Sequence, residues 1–441
     1  MLNKLIEWCN APVNSKQLGV FRILFGVITI IEVIYYYRIG YVQNLFVLPK
    51  LLFSYEFFPF GILPEGLMHL MIGGLALSSV LITLGLYFRW AVAYFFLVFT
   101  YFFLLDQSNY NNHFYLFSLI SFLLCFTNAD ASYSLAKSRW APQIPRWQIR
   151  IFQFQIGVVL FFGGIAKINP FWFDFHPITE ILSVKAESSG LEFLNHSITH
   201  YVLMIGGLVF DLLAVFLLLM KRTRMLAIGL VSFFNLANSW LFDDIGSFPL
   251  FMMFSLFLFL DDDELDKLPL PRQKIIKPVF KTNSLKHIGV GFALVYVLLQ
   301  VTLPLRHFLY HGYPDWTGEG QRFAWRMKIQ YREFDRVTFS LTAKESELEE
   351  ILLPEQHITI HQYRQMTNSP QSLVLFAEYA EGLAKKRNPN MHFMVKCNAK
   401  VKFNGSEYVN IFASNLDILE ASRTHKSYND WIEPMPMAYK N

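Results

Sequence analysis

One lysine lies at the end of a long apolar segment, where an amine can do chemistry. Lys167 follows the adjacent glycines Gly163 and Gly164, which permit the close approach of a second helix. Burial favours the neutral form of a lysine, and a neutral amine can act as a general base near neutral pH. A lysine at a helix end can equally extend to the membrane interface and do no chemistry. The sequence leaves both interpretations open.

Imidazole and amide groups occur at the ends of two other apolar segments. Asn111, Asn112 and His113 begin one segment, and either asparagine can be explained as an ordinary helix cap. His307 directly follows the last apolar segment. An imidazole in that position can shuttle a proton, bind a ligand or anchor the chain at the interface. No pattern of acidic or cysteine residues accompanies these groups, so no metal site is predicted.

Further polar residues lie inside apolar segments, where they require partners. Asp211 is costly there unless it is paired or faces a polar cavity, so we predict a structural or proton-handling role in preference to direct catalysis. Gln155 also needs a partner within the helix bundle. Asn235 and Asn238 share one face of a segment, which favours hydrogen bonds between helices.

The elements that must position these residues are membrane helices. The chain is 54% hydrophobic and only 16% charged, which is typical of a membrane protein and not of a soluble one. We predict an all-α membrane bundle over residues 1–305 and a small mixed α/β extracytoplasmic domain over residues 306–441. The net charge of +4 is modest, so nucleic acid is not a predicted partner, whereas the lipid bilayer is. About nine hydrophobic segments are predicted, at 18–38, 65–87, 90–106, 113–128, 151–168, 199–220, 225–242, 247–260 and 287–305.

The loop charges predict an orientation. Lys and Arg concentrate on the cytoplasmic side of multi-pass membrane proteins. Basic clusters occur at 137–150, 221–224 and 272–286, whereas the intervening loops at 105–113 and 243–246 contain neither Lys nor Arg. We therefore expect a cytoplasmic N-terminus and a C-terminal domain outside, at the cell membrane of a bacterium or in the endoplasmic reticulum of a eukaryote.

Local patterns predict the elements of the outer domain and a lid. Residues 328–342 and 356–363 alternate as strands do, residues 370–386 read as a helix, and residues 391–408 read as a hairpin. Asn404-Gly405 is a good two-residue turn, which also explains an Asn-Gly-Ser glycosylation pattern without any sugar. Proline-interrupted residues 43–64 favour an interfacial lid at a lateral entrance for a lipid.

Several motifs, taken in order, resemble those of the vitamin K-dependent γ-glutamyl carboxylase family and its wider relatives, the horizontally transferred transmembrane domain (HTTM) proteins. The chain reads like a short, bacterial-type homologue. In the membrane half the matching motifs are residues 18–26, 104–106, 111–116, 163–167, 210–212, 245–249 and 303–309. In the outer half they are residues 316–317, 323–327, 376–379 and 430–434.

The resemblance implies an integral-membrane enzyme that couples oxygenation of a quinol, forming its epoxide, to carboxylation of glutamate in a protein or peptide. Its cofactor would be reduced vitamin K, as phylloquinol or menaquinol, with O2 and CO2 as co-substrates and no metal. Lys167 would be the base that starts quinol oxygenation. Asn112 and His113 would support the reacting quinone, and His307 would lie nearby in the catalytic site.

The same resemblance implies that Trp316, Trp325 and Arg326 bind the glutamate substrate. This segment departs from the animal carboxylases, because Gly320 stands where they have leucine. Recognition of glutamate therefore follows less directly from the sequence than quinone chemistry does.

Three positions in the membrane half also depart from the family pattern. Ala166 replaces a second lysine beside the base, Gln153 replaces an arginine, and Asn235 replaces a histidine. The base is retained, but its surroundings differ. Two alternatives stay open: a membrane enzyme that oxygenates a quinol without carboxylating glutamate, and a non-enzymatic or transport protein. A transporter predicts an internal repeat, and no convincing repeat is visible.

Overall fold

Long apolar stretches form most of the helices of the first half of the chain. The computed structural model describes residues 2–136, 141, 143–242, 245–269, 286–345 and 349–436. The basic positions 137–139 and 272–281, and the loop residues 243–244, which entered the orientation prediction, lie outside the described residues. The helices are α1 Leu2–Asn10, α2 Lys16–Arg38, α3 Glu65–Leu84, α4 Phe88–Leu104, α5 Asn112–Cys125, α6 Trp147–Ala166, α7 Pro170–Phe173, α8 Ile178–Ser189, α9 Ser197–Leu219, α10 Arg224–Leu241, α11 Phe248–Ser255, α12 Asp262–Leu265 and α13 Lys286–Leu305.

The mostly helical fold is confirmed, but the count of nine spans is not. Each of the nine predicted segments coincides with a helix. Among the described residues, α2, α3, α6 and α9, together with the segment that continues α13 to Leu309, are long and apolar enough to cross a bilayer. The helical segments at Phe88–Leu104, Asn112–Cys125 and Phe248–Phe259 are apolar but shorter, and α10 falls in neither group.

Short strands and helices build the second half. Two strands of the membrane half, β1 Pro12–Asn14 and β2 Gln143–Pro145, pair with each other. The outer strands form two antiparallel sheets, of order β3-β7-β8 and β5-β4-β6. These strands are β3 Arg332–Phe334, β4 Thr338–Ala343, β5 Glu349–Leu352, β6 Phe393–Asn398, β7 Lys400–Phe403 and β8 Val409–Asn410. The outer helices are α14 Pro314–Thr317, α15 Ile360–Met366, α16 Pro370–Arg387 and α17 Ile418–Thr424.

Two local predictions for the outer domain are wrong. Residues 356–363 do not form a strand, because Thr359 and Gln362 make a reciprocal capping box that starts α15. Residues 391–408 do not form a hairpin, because only Ala399 separates β6 from β7. One residue is too short for a two-residue hairpin turn, and the two strands instead join different sheets.

The turn at Asn404-Gly405 is confirmed, but it connects β7 to β8. Both residues have positive φ, 46° and 77°, as a type I′ turn requires. Asn404 is fully buried, and its amide oxygen accepts a hydrogen bond from the backbone N–H of Tyr331 at 2.7 Å. A tight buried turn accounts for this sequence pattern in the folded protein.

The two halves are joined through side chains at the outer ends of the membrane helices. Gln362 of α15 donates to the Asp106 carboxylate at 2.8 Å. The Arg322 guanidinium donates to the Gln107 side chain at 2.5 Å. Trp325 is fully buried within the hydrophobic cluster of the membrane half. The segment after α14 therefore packs with the membrane helices, and the boundary at residue 305 stays a prediction.

The predicted lid is partly packed and partly open. Phe46 and Phe53 are buried, whereas Phe57 and Phe60 are each 63% exposed. Exposed aromatic rings beside membrane helices are suited to the bilayer interface. The lid function stays a prediction.

Candidate functional site

A cavity of about 460 Å³ lies where α6 ends and α5 begins. Its walls come from membrane helices on one side and from residues 326–332 and α15 on the other. The apolar lining includes Val159, Leu160, Leu203, Phe234, Phe248 and Met252. The polar lining includes Asn111, Asn112, His113, Lys167, Asp211, Asn235, Asn238, Arg326, Lys328, Gln330, Arg332, Gln365 and Asn368.

Lys167 occupies the C-terminal cap of α6 and faces this cavity. Its amine donates a hydrogen bond to the carboxylate of Asp211 on α9. Lys167 is 9% exposed and Asp211 is 5% exposed, so the pair is largely shielded from solvent. The Lys167 amine also lies 5.4 Å from the ring centroid of Trp172, in cation–π range. The buried acid has the partner that its position in an apolar segment requires.

Adjacent glycines bring α6 and α9 together. A Cβ at Gly164 would lie 2.9 Å from two side-chain carbons of Leu212 and 3.1 Å from its backbone nitrogen. A Cβ at Gly163 would lie 3.5 Å from the Asp211 carboxylate and from Met327, which is ordinary contact. Gly164 therefore permits the close approach, as does Gly157 earlier in α6, where a Cβ would lie 2.7 Å from the side chain of Val215 in α9.

The start of α5 brings three polar residues to the same cavity. The Asn111 side chain accepts a hydrogen bond from the backbone N–H of His113 at 3.2 Å and so caps the helix. Asn112 accepts a hydrogen bond from the hydroxyl of Tyr110 at 3.0 Å. His113 is buried and packs edge-to-face on Phe114, with ring centroids 4.5 Å apart. Asn112 and His113 thus join Lys167 in one lining, and the cap interpretation holds for Asn111.

Two more predicted residues, His307 and Gln155, lie outside the lining. His307 is half-buried, and its Nδ1 lies 2.7 Å from the carbonyl oxygen of Pro304. Gln155 lies inside the bundle, where it accepts a hydrogen bond from the Tyr296 hydroxyl at 2.6 Å. Gln155 has the bundle partner predicted for it.

The two tryptophans also lie outside the lining, in hydrophobic cores. The Trp316 indole donates to the carbonyl of Glu433 at 3.0 Å and belongs to the core of the outer domain. Trp325 stacks on Tyr115 with ring centroids 4.8 Å apart. Trp316 still contacts the lining indirectly, because the guanidinium carbon of Arg332 lies 5.5 Å from its ring centroid.

Arg326 does line the cavity, but its guanidinium is already paired. Its Nε and Nη2 donate to the two carboxylate oxygens of Asp315 at 2.9 and 2.5 Å. The Asp315 side chain is fully buried. Burial lowers the pKa of Arg326, but the hydrogen bonds and charge of Asp315 outweigh burial and raise it. The pair therefore fixes the segment that follows α14.

Sequence reasoning missed three residues of the same segment. Lys328, Gln330 and Arg332 line the cavity with Arg326, whereas Ile329 is buried away from solvent. Met327 lines the cavity as well, and Lys328 has a positive φ of 51°, so this segment does not present one face as a regular strand does. No regular period in the sequence marks these residues.

Asn235 and Asn238 were predicted to form hydrogen bonds between helices, and the structure places them differently. Both line the cavity, and the Asn235 amide donates to the Val231 carbonyl of its own helix at 2.8 Å. Gln365 and Asn368 reach the same cavity from the outer domain. No periodicity in the sequence connects these distant segments, so their meeting could not be foreseen.

Two family matches together span nearly the whole chain. The HTTM domain matches residues 10–263, which is more than half of the sequence. The lumenal domain of vitamin K-dependent gamma-carboxylase matches residues 285–438. No solved structure matches the chain significantly. These matches define an integral membrane protein with a lumenal domain. The chain belongs to the vitamin K-dependent γ-carboxylase family, as its motifs predict.

Proposed function

We propose that this protein is a vitamin K-dependent γ-glutamyl carboxylase-type enzyme that oxygenates a quinol to its epoxide and carboxylates protein glutamate. The observation that carries the proposal is the shielded Lys167–Asp211 pair in a cavity shared by membrane helices and the outer domain. A quinol with a lipid tail would enter from the bilayer, whereas a peptide, O2 and CO2 would arrive from the aqueous side.

The cavity fits the ring of a reduced vitamin K. Small-molecule sites enclose roughly 300–1,000 Å³, and this cavity encloses about 460 Å³. Val159, Leu160 and Phe234 offer apolar surface for the ring, while Asn112 and His113 offer groups for a ring oxygen. When bound, reduced vitamin K supplies the oxidation that drives removal of the glutamate γ-proton. Among the described residues, no cluster of three or more His, Cys, Asp or Glu is arranged to hold a metal.

In this proposal Lys167 acts in its neutral form and receives a proton at Nζ from a quinol hydroxyl. The adjacent Asp211 carboxylate orients the amine and stabilises the ammonium that forms, as the aspartate of a catalytic triad stabilises the protonated histidine. The shielding of both side chains keeps water from replacing the hydroxyl as proton donor. Asp211 thus takes a proton-handling role in support of Lys167.

Of the other predicted residues, some would contact the quinone and others would hold the substrate-binding segment in position. Asn112 and His113 would orient the ring, with Asn112 held in place by Tyr110. Trp316 and Trp325, which belong to hydrophobic cores, would position the substrate-binding segment without touching the substrate.

The proposal also includes the domain boundaries and the membrane orientation predicted from the sequence. Residues 1–305 would form the membrane domain, with a cytoplasmic N-terminus. Residues 306–441 would form the outer domain, which faces the side from which a peptide arrives. His307 would lie where the two meet.

One observation favours quinol oxygenation without carboxylation as a second candidate. Gly320, which stands where the animal carboxylases have leucine, has φ of +71°, and a Cβ there would lie 2.6 Å from the backbone of His307. No side chain fits at that position without backbone movement. The chain therefore contacts His307 more closely than a leucine-containing segment could.

The test is an assay of purified protein in lipid with vitamin K hydroquinone, a glutamate peptide and labelled bicarbonate. The unaltered protein and Lys386→Ala, an exposed lysine of α16, should give both epoxide and fixed label. Lys167→Ala should lose both together, by roughly 10²–10⁴-fold, the usual contribution of a general base. Epoxide without fixed label would favour the second candidate, and neither product would favour a transport or structural protein.

A further inference from the structure

The cavity lining is strongly cationic, and its cations are not equivalent. Lys167, Arg326, Lys328 and Arg332 line it, whereas Asp211 is the only acid in the lining formed by the described residues. Two of these cations are paired with carboxylates: Lys167 with Asp211, and Arg326 with Asp315 outside the lining. Lys328 and Arg332 take part in neither of these two pairs.

Arg332 has unused hydrogen-bond donors. Its Nη2 donates to the backbone carbonyls of Asp315 and Trp316, the second at 2.9 Å. Its Nε and Nη1 are buried and have no acceptor in the described part of the chain. Buried donors without acceptors cost free energy, and a buried cation without a counter-charge costs more. This arrangement is expected where a ligand supplies the missing acceptor.

The guanidinium of Arg332 is also held in one orientation. Its central carbon lies 5.5 Å from the ring centroid of Trp316 and 5.2 Å from that of Phe403. Stacking between aromatic rings and the two backbone hydrogen bonds leave little freedom to turn toward another partner. The free donors are therefore pre-organised before any ligand arrives.

The guanidinium of Arg332 also carries the charge that binding an anion requires. Burial lowers the pKa of Arg332 to about 10, and the charge of Asp315 only partly offsets burial. Arg332 is still protonated at neutral pH. By contrast, the two nitrogens that Arg326 directs at Asp315 satisfy a complete carboxylate, so Arg326 is a poor candidate for a second anion.

We propose that Arg332 binds the side-chain carboxylate of the acidic peptide substrate, and that Arg326 is a positioning residue. This inference deepens the proposed function and rests on it. A planar guanidinium matches a carboxylate better than an ammonium does. Bicarbonate has the same chemistry, so the test must separate a peptide side chain from bicarbonate.

The first experiment measures binding without turnover. Fluorescent peptides that differ only by glutamate or glutamine are titrated against the full chain in lipid nanodiscs. We expect the glutamate peptide to bind roughly ten- to a hundredfold more tightly, because a hydrogen-bonded charge contributes that much. Equal affinity for the two peptides would overturn the inference. Displacement of the glutamate peptide by millimolar bicarbonate would overturn its assignment to the peptide side chain.

Substitutions then assign the preference to a residue. Arg332→Gln should abolish the preference for glutamate, and Arg332→Lys should restore part of it. Arg336→Gln, at an exposed arginine four residues along the chain, should retain all of it. A preference that survives in Arg332→Gln would overturn the assignment.

A measurement on the unaltered protein covers the case in which Arg332→Gln does not fold. Phenylglyoxal modifies arginine, and mass spectrometry locates the modified residue. The glutamate peptide should protect Arg332 and the glutamine peptide should not; protection by both or by neither would contradict the inference. Epoxide formation in the absence of peptide reports separately on the proposed function, so a failure of quinol chemistry leaves the binding result readable.

Discussion

Two buried pairs of a cation and a carboxylate lie beside the same cavity but differ in chemistry. Lys167 contacts Asp211 between two membrane helices. Arg326 contacts Asp315 within the segment that packs with the membrane helices. A lysine amine can give up its proton, and an arginine guanidinium in a protein cannot. The first pair is therefore suited to proton transfer, and the second to fixing a backbone. Burial and ion pairing alone do not identify a catalytic group.

The largest effect is expected from making the first pair resemble the second. Lys167→Arg keeps a cation in contact with Asp211, but a guanidinium does not become neutral in a protein and so cannot accept the quinol proton. We expect quinol oxidation to fall by roughly 10²–10⁴-fold while the thermal unfolding temperature stays close to that of the unaltered protein. Epoxide assays and unfolding scans in the same lipid measure the two quantities. Activity that survives this substitution would show that Lys167 acts only through its charge.

Breaking the second pair should affect stability first. Asp315→Asn leaves the buried Arg326 without its counter-charge, which typically costs about 3–5 kcal/mol of unfolding free energy. Denaturant unfolding of the purified protein checks this value. Asp335→Asn, at an exposed position of the same domain, serves as the control and should cost little. A similar small loss for Asp315→Asn would mean that the pair does not hold the segment.

The opposite substitution, arginine to lysine in the second pair, should have a smaller effect on stability. Arg326→Lys retains the charge but replaces two hydrogen bonds by one, and a hydrogen bond to a charged group contributes about 1.5–3 kcal/mol. We expect a loss of stability of that order, with quinol oxidation per folded molecule retained. A specific collapse of quinol oxidation in well-folded Arg326→Lys protein would move Arg326 into the reacting site.

The smallest effect concerns the helix approach on which the first pair depends. Gly164→Ala must push Leu212 away, and overpacking of this kind costs about 1–3 kcal/mol. Gly163→Ala meets only ordinary contacts and should be nearly neutral. Thermal unfolding and epoxide formation in the two variants give a matched comparison. Equal behaviour would mean that the spacing of α6 and α9 does not limit the lysine–carboxylate contact.

Much of the membrane half of the site could be read from the sequence. A polar residue in an apolar segment must find a partner, and Asp211 does so with the lysine that ends α6. Asn112 and His113 begin a helix, and that position brings them to the cavity. Segment ends are visible in hydropathy, which is why Lys167, Asn112 and His113 could be singled out.

The outer half could not be read in the same way. Trp316 and Trp325 have the residue types of a binding site, yet both are packed in cores. Arg332, in contrast, looks like any basic residue until its missing acceptors are seen. Strand pairing and the docking of one half on the other depend on contacts between distant segments, and a local pattern does not encode them. The prediction of a hairpin over residues 391–408 failed at Ala399 for the same reason.

The buried turn at Asn404 has a practical consequence for producing the protein. An enzyme that attaches sugars to Asn-Gly-Ser needs an accessible asparagine, and Asn404 is fully enclosed once β7 and β8 have paired. In a host that secretes this domain into a glycosylating compartment, only chains that fold slowly or incorrectly would be modified. A mobility shift removed by a glycosidase would then report the misfolded fraction of each preparation, before any activity is measured.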